Sequence, residues 1–157
     1  MRVSPASESA TSDLLIVPAP DGTKRGRLTS TRDGDRGVVE VGTGDAATLD
    51  RHAWHEIALA AHRRAKELEA CGVCWQLGEL GSDLATTAIT EAAILGSYDR
   101  GRFKTGGDNG DAIETVTIAG ADEAVVARAA TIATAMNRAR ELQDAPPNVL
   151  TPHALGD

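Results

Sequence analysis

Short apolar runs alternate with long stretches of helical period along this chain, and that alternation restricts the fold more than any single motif does. Asp13-Leu14-Leu15-Ile16-Val17-Pro18 is an apolar run closed by proline and reads as a buried strand. From Pro20 to Arg36 the chain is dense in Gly, Asp, Thr and Ser, with Asp21-Gly22 and Asp33-Gly34 as turn signals, and reads as loop. Gly37 to Gly42 is a second strand. A helix is predicted from about Asp50 to Ala70, with Trp54, Ile57, Ala58, Ala61, Ala65 and Leu68 on one face. Val73 to Leu77 is a third strand. A second helix follows, capped by Ser82 or Asp83 and running to about Tyr98. Asp99 to Asp111 is glycine-rich loop, and Ile113 to Ala119 is a fourth strand. Asp122 opens a last helix whose inner face is predicted to be Val125, Ala129, Ile132, Met136 and Ala139. The order β, β, α, β, α, β, α predicts an α/β fold: a mostly parallel sheet with right-handed crossovers and helices on both faces.

Residues 1–12 are polar and Ser-rich, without the apolar core of a secretory signal, and are expected to form a disordered tail. The body of the domain is then expected over residues 13–145. Aromatics are only 3% of the 157 residues, so the core must be built from Ala, Val, Ile and Leu. A formal net charge of −7 argues against nucleic acid as the main partner. No run approaches the ~18 apolar residues of a membrane span. Two cysteines without an export signal suit a reducing cytoplasm.

Each candidate motif has a plainer reading beside it. Gly42-Thr43-Gly44-Asp45-Ala46-Ala47 fits G-x-G-x-x-A after a strand, but a dinucleotide site needs a helix to begin at the second glycine. The predicted helix starts later, and Asp45 and Asp50 carry the wrong charge, so a strand-exit turn is the reading preferred. Cys71-Gly72-Val73-Cys74 is a C-x-x-C with its first cysteine at a helix end rather than a helix start. The dipole there disfavours thiolate, and no second pair exists for zinc, so two buried small residues are expected. His52, His55 and His62 share a side of the first helix but lack the H-E-x-x-H spacing, and are expected on a solvated face. Arg100, Arg102 and Lys104 around Phe103 form a basic loop tip. There is no Ser/His/Asp set of recognisable spacing and no phosphate loop.

The end of the chain carries the most specific stretch, RARELQDAPPNVLTPHAL. Pro146-Pro147 stops the last helix, because proline has no N–H to give and restricts its predecessor. Thr151-Pro152 then reads as a helix start, a capping hydroxyl followed by a proline pre-set for the first turn. The helix so announced needs more residues than remain before Asp157. Residues 146–157 are therefore expected to be a linker and the beginning of a further domain.

Two segments resemble the leucyl (cytosol) aminopeptidases. EAAILGSYDRGRFKT, Glu91 to Thr105, is similar to the family's "eGalLgsYrFdryKt", and the closing stretch is similar to its "ARdLvNtPpNvltPtyLA" junction. The strand Val38 to Gly42 with Gly44 is similar to its "llvGlG". Ala92 stands where the family has glycine, and Asp144 where it has asparagine. The resemblance implies a non-catalytic N-terminal α/β domain of macro-domain-like, three-layer architecture, with the mostly parallel sheet flanked by helices. Its interdomain junction is marked by Arg140, Asp144, Pro146, Pro147, Asn148, Thr151 and Pro152. It further implies a C-terminal catalytic domain that removes N-terminal residues from peptides with two divalent metals (zinc, manganese or magnesium), and assembly into hexamers. None of those metal ligands maps onto this chain, so no catalytic, cofactor or metal residue is expected in it, and peptide is met only through the catalytic domain. The alternative is a free-standing macro-like module for a nucleotide or ADP-ribose, resting on the strand order and the Gly42/Gly44 turn. A thiol-redox module on Cys71 is a third.

Overall fold

The computed structural model describes residues 1–6, 12–20, 24–99, 113–146, 148–149 and 151. Six strands form one sheet in the order β1-β6-β5-β2-β4-β3. They are β1 (Arg2–Ala6), β2 (Leu14–Ala19), β3 (Leu28–Asp33), β4 (Arg36–Gly42), β5 (Gly72–Trp75) and β6 (Thr115–Ala119). Every neighbouring pair is parallel except β3 with β4. The helices are α1 (Arg51–Glu67), α2 (Asp83–Gly96) and α3 (Glu123–Asp144). The α/β class and the mostly parallel sheet expected from the sequence are what the chain adopts, with the described helices gathered on one face of the sheet rather than on both.

Each helix begins where a short polar side chain can take up a free N–H. Asp50 Oδ1 accepts from Ala53 N–H at 2.7 Å, Ser82 Oγ from Ala85 N–H at 3.2 Å, and Asp122 Oδ1 from Ala124 N–H at 2.7 Å. The β4–α1–β5 and β5–α2–β6 crossovers step the same way across the sheet, so a common hand puts α1 and α2 on one face. α2 packs between α1 and α3. Alternate strand residues point into that layer: Leu14, Ile16, Val39, Val41, Val73, Trp75, Val116 and Ile118 join Trp54 and Ile57 of α1 and Ile89 of α2 in one core. The intervening residues Leu15, Val17, Val38 and Thr117 lie half-buried on the opposite face, where no helix is found among the described residues.

Several expectations are corrected. Arg2–Ala6 is not a tail but an edge strand, paired with β6 from Arg2↔Thr115 to Ala6↔Ala119. Its serine and Pro5 hid it, and an open edge is where a strand can hold a proline. The supposed loop before Arg36 contains β3, paired with β4 from Leu28↔Val41 to Asp33↔Arg36. β3 is polar because it is an edge strand and almost wholly exposed. Gly34, with φ +59°, makes the tight connection. On α3, Val126, Ala129 and Ala133 are buried, while Ile132 and Met136 are 44% and 46% exposed. The helix has two apolar strips, and periodicity alone cannot say which faces in. The small residues do, because they let α3 approach its neighbours closely. Cys74 is buried as expected, but Cys71 is exposed.

Candidate functional site

The junction residues that lie on α3 form an organised contact. Tyr98, just beyond α2, donates its O–H to Asp144 Oδ2 at 2.7 Å. The Arg140 guanidinium sits 5.9 Å from the Tyr98 ring centroid, within cation–π range. Arg140 Nη1 donates to Asn137 Oδ1 at 3.2 Å, and Asn137 Nδ2 donates to the Ile94 carbonyl at 2.7 Å. The hydrogen bond to Asp144 raises the Tyr98 pKa, with desolvation and the Asp144 charge adding to it and Arg140 opposing. The end of α3 is thus tied to the end of α2 by three polar contacts.

Of the remaining junction residues, Pro146, Asn148 and Thr151 follow the helix. Ala145 closes α3, its N–H on the Glu141 carbonyl at 3.0 Å, and Val149 N–H then bonds the Pro146 carbonyl at 2.8 Å in a turn. Asn148 and Thr151 are exposed. Pro147 and Pro152 lie outside the described residues, as does the basic tip Arg100, Arg102, Phe103 and Lys104.

A second polar cluster escaped the sequence reading. Glu91 is 3% exposed, yet it carries a charge amid the apolar residues of α2. Arg51 Nη2 reaches both its oxygens, at 2.6 and 2.8 Å, and His55 Nε2 lies 2.9 Å from Oε2. Burial by itself raises the Glu91 pKa, but the hydrogen bonds from Arg51 and His55 and their charges outweigh it and hold the carboxyl below its ordinary value. The three histidines therefore do not share one solvated face: His52 is open, His55 faces Glu91, and His62 is buried against Gly96. The only signal in the sequence was a lone glutamate in the run ITEAAILG.

The carboxyl ends of β2, β5 and β6 open onto a cleft of about 780 Å³, lined among others by Val17, Gln76, Leu77, Glu79 and Gly120. Crevices at strand ends are the usual ligand positions in open α/β sheets. Here the charged lining residue is Glu79, and no cation lines it among the described residues. Beyond Gly42, Thr43 is fully buried and Gly44 has φ +73°. Asp45 then caps a short 3-10 turn, Ala46–Thr48, so no long helix starts at the second glycine. Among the described residues, no group of three or more His, Cys, Asp and Glu could hold a metal ion, and no helix is long and apolar enough to cross a membrane.

Fold and site together define a mostly parallel α/β domain whose best-organised surface contact holds the exit of its last helix. Solved structures of this fold include a bottromycin maturation enzyme, BotP (TM-score 0.79, 21% identity, 94% of this chain and 36% of that one). A mutant of tomato leucine aminopeptidase is another (TM-score 0.77, 19% identity, 98% and 40%). No family model matches the chain. It is 33% identical to a probable cytosol aminopeptidase of Roseiflexus castenholzii over 162 residues, covering 96% of this chain and 31% of that protein. With a probable cytosol aminopeptidase of Microcystis aeruginosa it shares 33% identity over 152 residues, 92% and 31% respectively. The chain belongs to the leucyl (cytosol) aminopeptidase family and is its N-terminal domain, spanning about a third of the relatives' length.

Proposed function

We propose that the chain is the non-catalytic front domain of a leucyl-aminopeptidase-like metallohydrolase, and that it supports and helps assemble a catalytic domain lying beyond residue 157. One observation carries this reading: the match runs over nearly all of this chain but under a third of the Roseiflexus and Microcystis proteins. The boundary falls at 145/146, where α3 ends and the proline turn begins, and residues 146–157 lead into the next domain. That domain would hold two divalent metals (zinc, manganese or magnesium), which would supply Lewis acidity for hydrolysis of the N-terminal peptide bond. The parent is a cytoplasmic homo-oligomer, a hexamer, that meets peptide only through its catalytic domain. Membrane and nucleic acid have no part in its work.

The purified 157-residue chain is expected to leave leucine p-nitroanilide untouched with added Mn²⁺ or Zn²⁺, while the protein extended past Asp157 turns it over. Metal-dependent turnover that tracks the 157-residue chain through purification overturns the reading. The cleft at the strand ends favours a second reading, a nucleotide or ADP-ribose module. Its Glu79 lining opposes a diphosphate, and calorimetry with ADP-ribose decides: micromolar binding promotes the module, and silence removes it.

A further inference from the structure

We propose that the outer face of α3, centred on Ile132 and Met136, is the seat on which the chain following residue 157 packs. This rests on the reading that the parent continues past that point, as its relatives do. Ile132 and Met136 stand four residues apart, so their side chains share one side of the helix, and they are 44% and 46% exposed. Val125, two turns before Ile132, lines a hollow together with it, and Arg51, Asp83, Glu91 and Arg128 form the polar border of that hollow. The helix turns its small residues Ala129 and Ala133 inward and leaves two of its largest apolar ones in water. A helix serving only its own domain has no use for that second strip, whereas apolar surface with a polar rim is what an interface requires.

The position of the strip selects its occupant. α3 runs 22 residues directly into the junction. Its last turns are fastened to α2 through Asn137–Ile94 and Tyr98–Asp144, so the exit has a fixed direction relative to the sheet. A turn closed by the Val149 N–H on the Pro146 carbonyl follows, and Val149 is 50% exposed. The relatives place about two-thirds of their length outside the matched region, ample to cover the strip. The occupant is therefore an aliphatic surface of the parent's own following domain, not a second copy of this one.

Met136 reports on the seat directly, since the chain's only other methionine is Met1. Sulfoxide formation at Met136 under dilute peroxide is followed by mass spectrometry in the 157-residue chain and in the extended parent. The expected result is rapid oxidation in the short chain and at least about tenfold slower oxidation in the parent, because a thioether reacts only where solvent reaches it. An Ile132→Glu/Met136→Glu variant is expected to leave the melting of the short chain unchanged and to speed protease cleavage at the junction of the parent. Equal oxidation in the two proteins overturns the proposal. So does concentration-dependent protection in the short chain, which would assign the strip to self-association. Peptidase activity of the same parent sample is scored separately. An inactive parent with Met136 protected sinks the aminopeptidase reading and leaves the seat standing, and an active parent with Met136 open does the reverse.

Discussion

Tyr98 donates its phenolic O–H to Asp144 Oδ2 at 2.7 Å, and through that bond the two segments that carry the family resemblance touch. Ionising the phenol would destroy the donor and set two negative charges side by side. The Tyr98 pKa is accordingly raised, first by this hydrogen bond, then by desolvation and the Asp144 charge. A raised value means that the contact contributes fully below the unfolded tyrosine pKa and is lost as pH climbs through the folded one. Tyr98 is the only tyrosine, so phenolate absorbance reads it alone. The folded chain is expected to titrate at higher pH than the unfolded chain, and Asp144→Asn to lower the midpoint. Coincident curves for the two proteins would falsify the assignment.

The Glu91 cluster makes an asymmetric prediction. Glu91 is buried, whereas Arg51 keeps 61% of its side chain exposed. Removing the carboxylate by Glu91→Gln releases Arg51 to water, and the loss is about 1.5–3 kcal/mol for hydrogen bonds to a charged group. Removing Arg51 instead leaves a buried carboxylate with His55 alone, so Arg51→Gln is expected to be the more damaging change. The Glu91 pKa is lowered in the fold: burial pushes it up, but its two partners win. Its contribution is therefore present above the unfolded carboxyl pKa and is lost as pH falls through the folded value. Urea midpoints measured from neutral to acid pH should converge for wild type and Glu91→Gln. A gap that stays constant on acidification excludes the ionised carboxylate as the cause.

What was legible in the sequence was whatever local chemistry decides. Asp50, Ser82 and Asp122 mark their helices because a cap is a contact between near neighbours. The apolar strands β2, β4, β5 and β6 declare themselves because they are buried on at least one face. The edge strands β1 and β3 did not, since a strand exposed to water can be built from serine, threonine and charge. The site divides the same way. Arg140 and Asp144 were marked by motif, but their meeting with Tyr98 depends on how α3 docks on α2. Glu91 lies 40 residues from Arg51 in sequence, and no spacing rule connects them.

Asp13 offers a test of the sheet's construction. Its Oδ2 accepts the N–H groups of both Cys71 and Gly72 at 3.0 Å, while its own carbonyl takes the Gly37 N–H at 2.9 Å. One residue thereby joins the starts of β2, β4 and β5. The Cys71 carbonyl in turn accepts from Glu114 and Thr115 at 2.8 and 3.2 Å. Asp13→Ala is expected to cost about 0.5–1.5 kcal/mol by removing these bonds at a partly exposed site, with Asp13→Asn retaining most of the bonding through its amide oxygen. Cys71→Ser should stay within about 0.5 kcal/mol, because the backbone of Cys71 makes these bonds. A Cys71→Ser penalty as large as that of Asp13→Ala, in urea unfolding under reducing conditions, would assign the thiol a role of its own.

A glycine of α2 faces a histidine of α1 where the two helices meet. A Cβ placed on Gly96 would lie 3.1 Å from His62 Cδ2 and 3.4 Å from Nε2, and His62 is only 7% exposed. Replacing a helical glycine by alanine ordinarily gains up to about 1 kcal/mol. Overpacking a buried site costs about 1–3 kcal/mol. The hollow that His62 shares with Ala58, Ile89 and Ala93 is only about 10 Å³, so the ring can shift into it by little. Steric cost should win, and Gly96→Ala is expected to destabilise by about 1 kcal/mol. In a His62→Ala background the clash is gone and the propensity gain remains, so the same substitution should become neutral or stabilising. The coupling energy from that double-mutant cycle is the measurement, and additive effects would mean that His62 moves aside freely and the two helices are spaced by other contacts.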